Sequence, residues 1–195
     1  MRIIAGSKRG RRLVDWEESG IRPVRDFVRH ALFSIVADFV PEAVCLDLYA
    51  GTGSLGLEAL SRGARSCLFV DHSRQACGVI RRNLEALDLL ASGEVFEGDS
   101  VGAIERYVKR GRRFDLVFID PPYELGLVPT TMEALADGRA LSEDPVVVAA
   151  TGKREEARTA YGALSLADRR RYGDNLLLFY RLTEEASVDR SNATE

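Results

Sequence analysis

The chain has 195 residues, 46% of them hydrophobic, which suits one domain with a full core rather than two large ones. Its formal net charge of −3 argues against a uniformly basic nucleic-acid binder, and Cys45, Cys67 and Cys77, odd in number and without CxxC spacing, read as core thiols. No run approaches the roughly 18–20 apolar residues of a membrane span, and Met1-Arg2-Ile3-Ile4-Ala5-Gly6 opens without a long apolar stretch, so a cytoplasmic protein with no membrane partner is expected.

Residues 1–12 carry Arg2, Lys8, Arg9, Arg11 and Arg12 without an acidic residue. Arg2 to Gly6 and Gly10 to Val14 read as two short strands around a Ser7-Lys8-Arg9 turn, a small basic hairpin forming an extension over residues 1–22. From Asp26, placed to cap a helix, Phe27, Val28, Ala31, Leu32, Ile35, Val36 and Phe39 recur at helical spacing. Arg25 and Arg29 on the polar side of that helix, with Arg22 before it, would extend the basic surface, against the plainer reading of a solvated face.

From Val44 the pattern alternates strand and helix: Val44 to Tyr49, Leu55 to Ser61, Ser66 to Asp71, Arg74 to Leu87, Glu94 to Glu97, Val101 to Val108, Phe114 to Ile119, Thr130 to Ala136, Pro145 to Ala150. Five strands separated by helices predict parallel βαβ units. After Lys153, Leu164 to Ala167 and Leu176 to Leu182 flank Tyr172-Gly173-Asp174-Asn175 and read as an antiparallel pair. The expected fold is α/β: a doubly wound, mostly parallel sheet over residues 23–182, closed by a reversed C-terminal hairpin, with 183–195 a polar, disordered tail. His30 and His72 lack companion ligands at metal-binding spacing, so no metal is implied.

Asp47-Leu48-Tyr49-Ala50-Gly51-Thr52-Gly53-Ser54-Leu55-Gly56 holds GxGxxG between a strand and a helix, and Asp71 closes the next strand 20 positions after Gly51. Both dinucleotide and S-adenosylmethionine sites use such glycines, and both use an acid after the second strand to bind ribose hydroxyls. Asp47 favours the methyl donor, because a carboxylate there can anchor an amino acid moiety and a dinucleotide site needs none. Asp99, ending the third strand, could accept from an adenine amine or cap the following helix; Asp71 has a similar capping rival in Asp71-His72-Ser73. A Walker-type loop fails for want of Gly-Lys-Ser/Thr.

Asp120-Pro121-Pro122-Tyr123 follows the apolar run Phe114 to Ile119 and so falls at the carboxyl end of a strand, where open α/β sheets bind ligands. Two prolines fix φ and surrender their N–H groups, so the Pro121 carbonyl can face outward as an acceptor beside the Asp120 carboxylate. Two acceptors suit an NH2 group, and Tyr123 could stack on the ring that bears it; a simple proline turn is the plainer reading.

With Arg2-Ile3-Ile4-Ala5-Gly6 and Gly10-Arg11, Arg22-Pro23 before Val28-Arg29-His30-Ala31-Leu32-Phe33, Leu46 to Gly53, Leu57-Glu58-Ala59-Leu60-Ser61-Arg62-Gly63-Ala64, the Asp120 loop and Tyr172-Gly173-Asp174, the chain resembles the RsmD family of bacterial 16S rRNA guanine-N2 methyltransferases from Met1 to about Leu182. The resemblance implies a class I methyltransferase fold and S-adenosylmethionine as cofactor, bound by Asp47, Tyr49, Ala50, Gly51, Thr52, Gly53, Asp71 and Asp99. It implies Asp120, Pro121, Pro122 and Tyr123 as the catalytic loop, and 16S rRNA, in the small subunit or an assembly intermediate, as partner of a monomer. RNA contacts are expected from Arg2, Lys8, Arg9, Arg11, Arg12, Arg22, Arg25 and Arg29. Departures are Val24-Arg25 where the family usually has threonines, Ala149-Ala150 where it usually has Glu-His after strand five, and Asp71 where Glu is commoner. The rivals are an adenine-N6 methyltransferase, a non-catalytic RNA-binding assembly factor and, least favoured, a dinucleotide oxidoreductase.

Overall fold

In a computed structural model, residues 1–14, 26–122, 125–152, 158–183 and 185–186 are described. Expectations placed on Arg22, Val24, Arg25, Tyr123 and the end of the chain from 187 onward fall outside them. The chain divides into two compact units, Met1–Ser100 and Val101–Glu195.

In the first unit, α1 (Asp26–Ile35) and a single 3-10 turn (Ala37–Phe39) lead into β1 (Val44–Leu48), α2 (Ser54–Ser61), β2 (Ser66–Asp71), α3 (Arg74–Ala86) and β3 (Gly93–Glu97). The strands lie in the order β3-β2-β1, all parallel, with Asp47 opposite Phe69 and Asp71 opposite Glu97. Burial explains the composition of the inner strands: Cys45, Leu46, Leu48, Cys67, Leu68, Phe69 and Val70 are all 0–1% exposed, the continuous apolar run of a parallel strand covered on both faces. Edge strand β3 keeps only partial cover. Cys45, Cys67 and Cys77 are buried free thiols.

The basic N-terminal arms pair through an Arg2–Arg12 bridge and the Ile3 N–H to Arg11 carbonyl bond of 3.0 Å. They are fastened to α2. Glu58, buried in the middle of that helix, accepts the backbone N–H groups of Ile4 at 2.8 Å and Ala5 at 3.0 Å. Gly6 has φ +81°, and a Cβ there would stand 1.9 Å from the Ser61 carbonyl oxygen, so only glycine permits this approach. The Ser7 N–H donates to that same carbonyl at 2.7 Å, satisfying one of the groups orphaned at the helix end.

Arg29 corrects the expected basic surface. It is 0% exposed and donates to the Arg2 carbonyl and to Asp26, 3.0 Å away. Val28, Arg29, Leu32 and Phe33 form the packed face of α1, and the expected apolar residue Phe27 is 69% exposed. Burial lowers the Arg29 pKa, opposed by the Glu58 and Asp26 carboxylates.

The second unit contains α4 (Ser100–Lys109, beginning at the boundary), β4 (Phe114–Ile119), α5 (Leu127–Leu135), β5 (Leu141–Gly152), β6 (Ala160–Tyr161), β7 (Leu164–Tyr172) and β8 (Asn175–Leu182). Its strand order is β4-β5-β8-β7-β6, with β4 and β5 parallel and the remaining pairs antiparallel. The C-terminal reversal is therefore as expected. Gly173, at φ +63°, takes the first central position of the β7–β8 turn, the glycine position of a type II′ hairpin. Tyr180 is fully buried, its hydroxyl donating to the Arg158 carbonyl at 2.8 Å and its ring meeting Tyr161 edge-on at 5.7 Å. Ala149 and Ala150 lie within β5, buried opposite Leu178 and Leu177, rather than after the strand.

Candidate active site

The glycine loop leaves β1 through Tyr49, whose φ of +61° is uncommon for a residue with a side chain. It turns back through the Gly53 N–H to Ala50 carbonyl bond at 2.7 Å. Its three glycines meet different demands. Gly51 has φ +55° and open space where a Cβ would point, so its backbone remains approachable. Gly53 has φ +78° and would place a Cβ 3.3 Å from Ile80, Leu57 and Phe69. At Gly56 a Cβ would lie 2.3 Å from the Phe69 ring and 2.5 Å from the Cys67 sulfur, so this glycine lets α2 approach β2.

The two strand-end acids hold this loop. Asp47, 1% exposed, accepts the Gly56 N–H at 2.9 Å, serving the first turn of a helix whose N-cap, Gly53, has no side chain to offer. Asp71, also buried, accepts the Gly51 N–H through Oδ2 and the Ser73 N–H through Oδ1, both at 2.8 Å. The cap of α3 is Ser73, which accepts from Ala76 at 3.3 Å; Asp71 sets the turn before it. Asp99 is exposed immediately before α4.

Sequence reasoning assigned no role to Asn83, yet it joins the loop to the N-terminal arm. Fully buried, it accepts the Val14 N–H at 2.6 Å and donates to the carbonyls of Val14 at 3.3 Å and Thr52 at 3.1 Å. Glu58 was equally unassigned. Besides Ile4 and Ala5 it accepts from Arg62 Nε at 2.8 Å, making it the acceptor on which the hairpin and the end of α2 converge. The available signal was a polar residue on an apolar helical face, Glu58 between Leu57 and Ala59, and Asn83 at helical spacing from Val79, Ile80 and Leu87.

Among the hairpin cations, Arg2, Arg9, Arg11 and Arg12 are exposed and Lys8 is half-buried. Arg2 donates to the Gly10 carbonyl at 3.1 Å, Arg11 to the Ala86 carbonyl, and Lys8 lies 3.8 Å from Asp88.

In the second unit Asp120 follows the last residue of β4, with Pro121 buried and Pro122 exposed after it. No hydrogen bond or ion pair to the Asp120 side chain occurs among the described residues. Burial pushes its pKa up to about 7, so its proton is exchangeable near neutrality. No group of three or more potential metal ligands occurs among the described residues, and no helix there is long and apolar enough to cross a membrane.

Parallel βαβ units ending in a reversed β8 strand beside β5 make this the fold of class I methyltransferases, a class seen also in the solved structure of the Escherichia coli putative methyltransferase yhhF. That structure has a TM-score of 0.82 and 30% identity, covering 93% of this chain and 97% of its own. A Bacillus subtilis putative rRNA methyltransferase, YlbH, is 33% identical over 181 residues, 93% of this chain and 98% of that protein. The Escherichia coli ribosomal RNA small subunit methyltransferase D is 34% identical over 147 residues, covering 75% of this chain and 72% of its own. Residues 1–181 match the family model described as conserved hypothetical protein 95, and the chain belongs to that family, the RsmD family.

Proposed function

We propose that this protein transfers a methyl group from S-adenosylmethionine to the exocyclic N2 amine of a guanine in 16S rRNA, within the small ribosomal subunit or an assembly intermediate. Family membership and relatives named as rRNA methyltransferases support the RNA substrate. The observation that carries the amine chemistry is Asp120: a half-buried carboxylate with no partner among the described residues, its pKa raised to about 7.

The glycine loop fits the cofactor. Gly51 combines a left-handed backbone with open space beside it and is held by Asp71, while Asp47 holds the Gly56 N–H at the start of α2. When bound, S-adenosylmethionine supplies an electrophilic methyl group on a sulfonium. Asp47, Asp71 and Asp99 are the acids assigned to its amino acid, ribose and adenine groups.

A guanine amine is a poor nucleophile because its lone pair is delocalised into the ring, so orientation should dominate the rate. In this reading Asp120 and the Pro121 carbonyl accept its two N–H bonds and turn the lone pair toward the methyl. Tyr123 stacks on the base, which must leave its helix to arrive there. The carboxylate also stabilises positive charge developing on nitrogen. Bound S-adenosylmethionine would supply the methyl carbon to the nitrogen and keep the carbon–sulfur electron pair, and the amine proton would leave through Asp120 or water.

Small subunits from cells lacking the protein, incubated with it and labelled S-adenosylmethionine, should yield N2-methylguanosine on nucleoside mass analysis. N6-methyladenosine would transfer the reading to adenine, and cofactor binding without any transfer would leave an assembly factor.

A further inference from the structure

We propose that the end of β7, through Arg169, Arg170 and Arg171, is a second RNA phosphate-binding surface, gripping the backbone beside the base presented at Asp120; this rests on the rRNA methyltransferase reading above. The strand register supplies the placement. Ile119 of β4 lies opposite Ala149 of β5, Ala149 opposite Leu178 of β8, and Leu178 opposite Arg169 of β7. The next row, where the chain reaches Asp120, contains Ala150, Leu177 and Arg170, and the row beyond contains Thr151, Leu176 and Arg171. The three arginines thus stand at the sheet end that carries Asp120, three strand spacings or about 14 Å across. The basic residues of the N-terminal hairpin belong to the other unit.

All three side chains are exposed. Arg170 is oriented by its Nε bond to Asp168 Oδ2 at 2.9 Å, and Arg171 by its Nε bond to the Gly173 carbonyl at 3.2 Å. These bonds use Nε, so the two terminal nitrogens of each exposed guanidinium remain available as the fork that matches a phosphate. Asp168 also accepts the Arg169 N–H at 2.7 Å, so this one acid organises the run. Alternation along the strand puts Arg169 and Arg171 on the face opposite Arg170, a spread suited to a backbone wrapping the strand end.

A competing explanation is edge protection. Strand β6 pairs with Leu164 and Ser165, and the Leu166 N–H donates to the Thr159 carbonyl at 2.8 Å, so among the described residues β7 beyond Leu166 has no second strand neighbour, and charged residues discourage an exposed edge from pairing with another chain. Either sign of charge protects an edge; only positive charge binds phosphate. The discriminating variant is therefore Arg169→Glu/Arg171→Glu, with Arg113→Glu/Arg139→Glu at the amino ends of β4 and β5 as control for net charge.

If each arginine neutralises one phosphate of a single strand, the slope of log affinity against log salt falls by about 0.7 per contact, or about 1.4 for the pair. At 0.1 M salt the same relation gives about a 25-fold loss of affinity. The Arg169→Glu/Arg171→Glu protein should stay monodisperse, bind S-adenosylmethionine as before, show a KM for small subunits about 25-fold higher, and keep kcat at saturation. Arg169→Lys/Arg171→Lys should retain most of the salt slope. The proposal is overturned if RNA affinity and slope match the unmodified protein, if the control pair causes the same loss, or if aggregation is the only change. Binding to a small-subunit rRNA fragment is measured separately from turnover, so a protein that binds RNA through these arginines but methylates nothing would sink the enzymatic reading alone.

Discussion

The Asp71 carboxylate accepts the Gly51 N–H at 2.8 Å, tying the end of the second strand to the approachable glycine of the loop after the first. Its other oxygen, on the Ser73 N–H, fixes the turn into α3, so one buried side chain sets the loops after β1 and β2. Asp71→Ala leaves both N–H groups without this acceptor, a loss of about 1–3 kcal/mol where they are not rehydrated. Calorimetric titration with S-adenosylmethionine should show affinity at least about tenfold weaker, since 1.4 kcal/mol corresponds to a factor of ten. Unchanged affinity would mean that Asp71 merely shapes the turn.

If Asp120 acts as proposed, stability and activity should have opposite pH dependences. Its folded pKa of about 7 stands above the roughly 3.9 of an unfolded aspartate, so between those values the folded chain holds a proton that the unfolded chain has lost. This contribution to stability is greatest below about pH 4 and is lost as pH rises toward 7. Thermal unfolding of the cofactor-free protein should therefore show Asp120→Asn gaining stability relative to the unmodified chain from pH 5 to pH 8. In the proposed mechanism methyl transfer needs the ionised carboxylate as acceptor, so the rate should climb over the same interval. A pH-independent difference in Tm between the two proteins would remove Asp120 as the titrating group.

The strands and the glycine loop were legible because local pattern and tertiary demand agree. Buried parallel strands require unbroken apolar runs, and residues 45–48 and 67–70 are such runs apart from Asp47. The C-terminal reversal was legible from a glycine turn between apolar segments. Arg29 was misread because charge outweighed period: it is four residues before Phe33 and one after Val28, on the packed face, with Asp26 one turn back as its partner. Glu58 and Asn83 were invisible as anchors of the arm because the arm groups they hold, the Ile4 and Val14 N–H, lie 54 and 69 residues away and are backbone groups, which carry no sequence signature.

Glu58 is the test of whether the N-terminal arm depends on α2. It binds two arm N–H groups and pairs with Arg62, while its charge also favours the buried Arg29. Glu58→Gln keeps the shape and removes the charge, and breaking a buried ionic cluster costs about 3–5 kcal/mol. Chemical denaturation should record that loss, and hydrogen exchange should find the Ile4 and Ala5 amides deprotected. Because the glycine loop proposed to hold the cofactor is fixed by Asp47, Asp71 and Asn83 instead, S-adenosylmethionine affinity should survive wherever the protein remains folded. Equal loss of cofactor affinity and arm protection would show that the arm and the loop fold as one piece.

Two glycines of the loop should fail in different ways when given the same methyl group. At Gly51 a Cβ meets open space, and the penalty is the left-handed backbone, about 1–2 kcal/mol. At Gly56 the backbone suits a helix, but the methyl would enter the Phe69 ring and the Cys67 sulfur at 2.3 and 2.5 Å, overpacking worth about 1–3 kcal/mol or more. Gly51→Ala should therefore keep most of its Tm and lose cofactor affinity out of proportion, because the added carbon occupies the space a ligand would approach. Gly56→Ala should lose Tm chiefly, with its affinity following the folded fraction. Titration and thermal unfolding of both variants decide the matter: Gly51→Ala binding S-adenosylmethionine normally would place the ligand away from this loop.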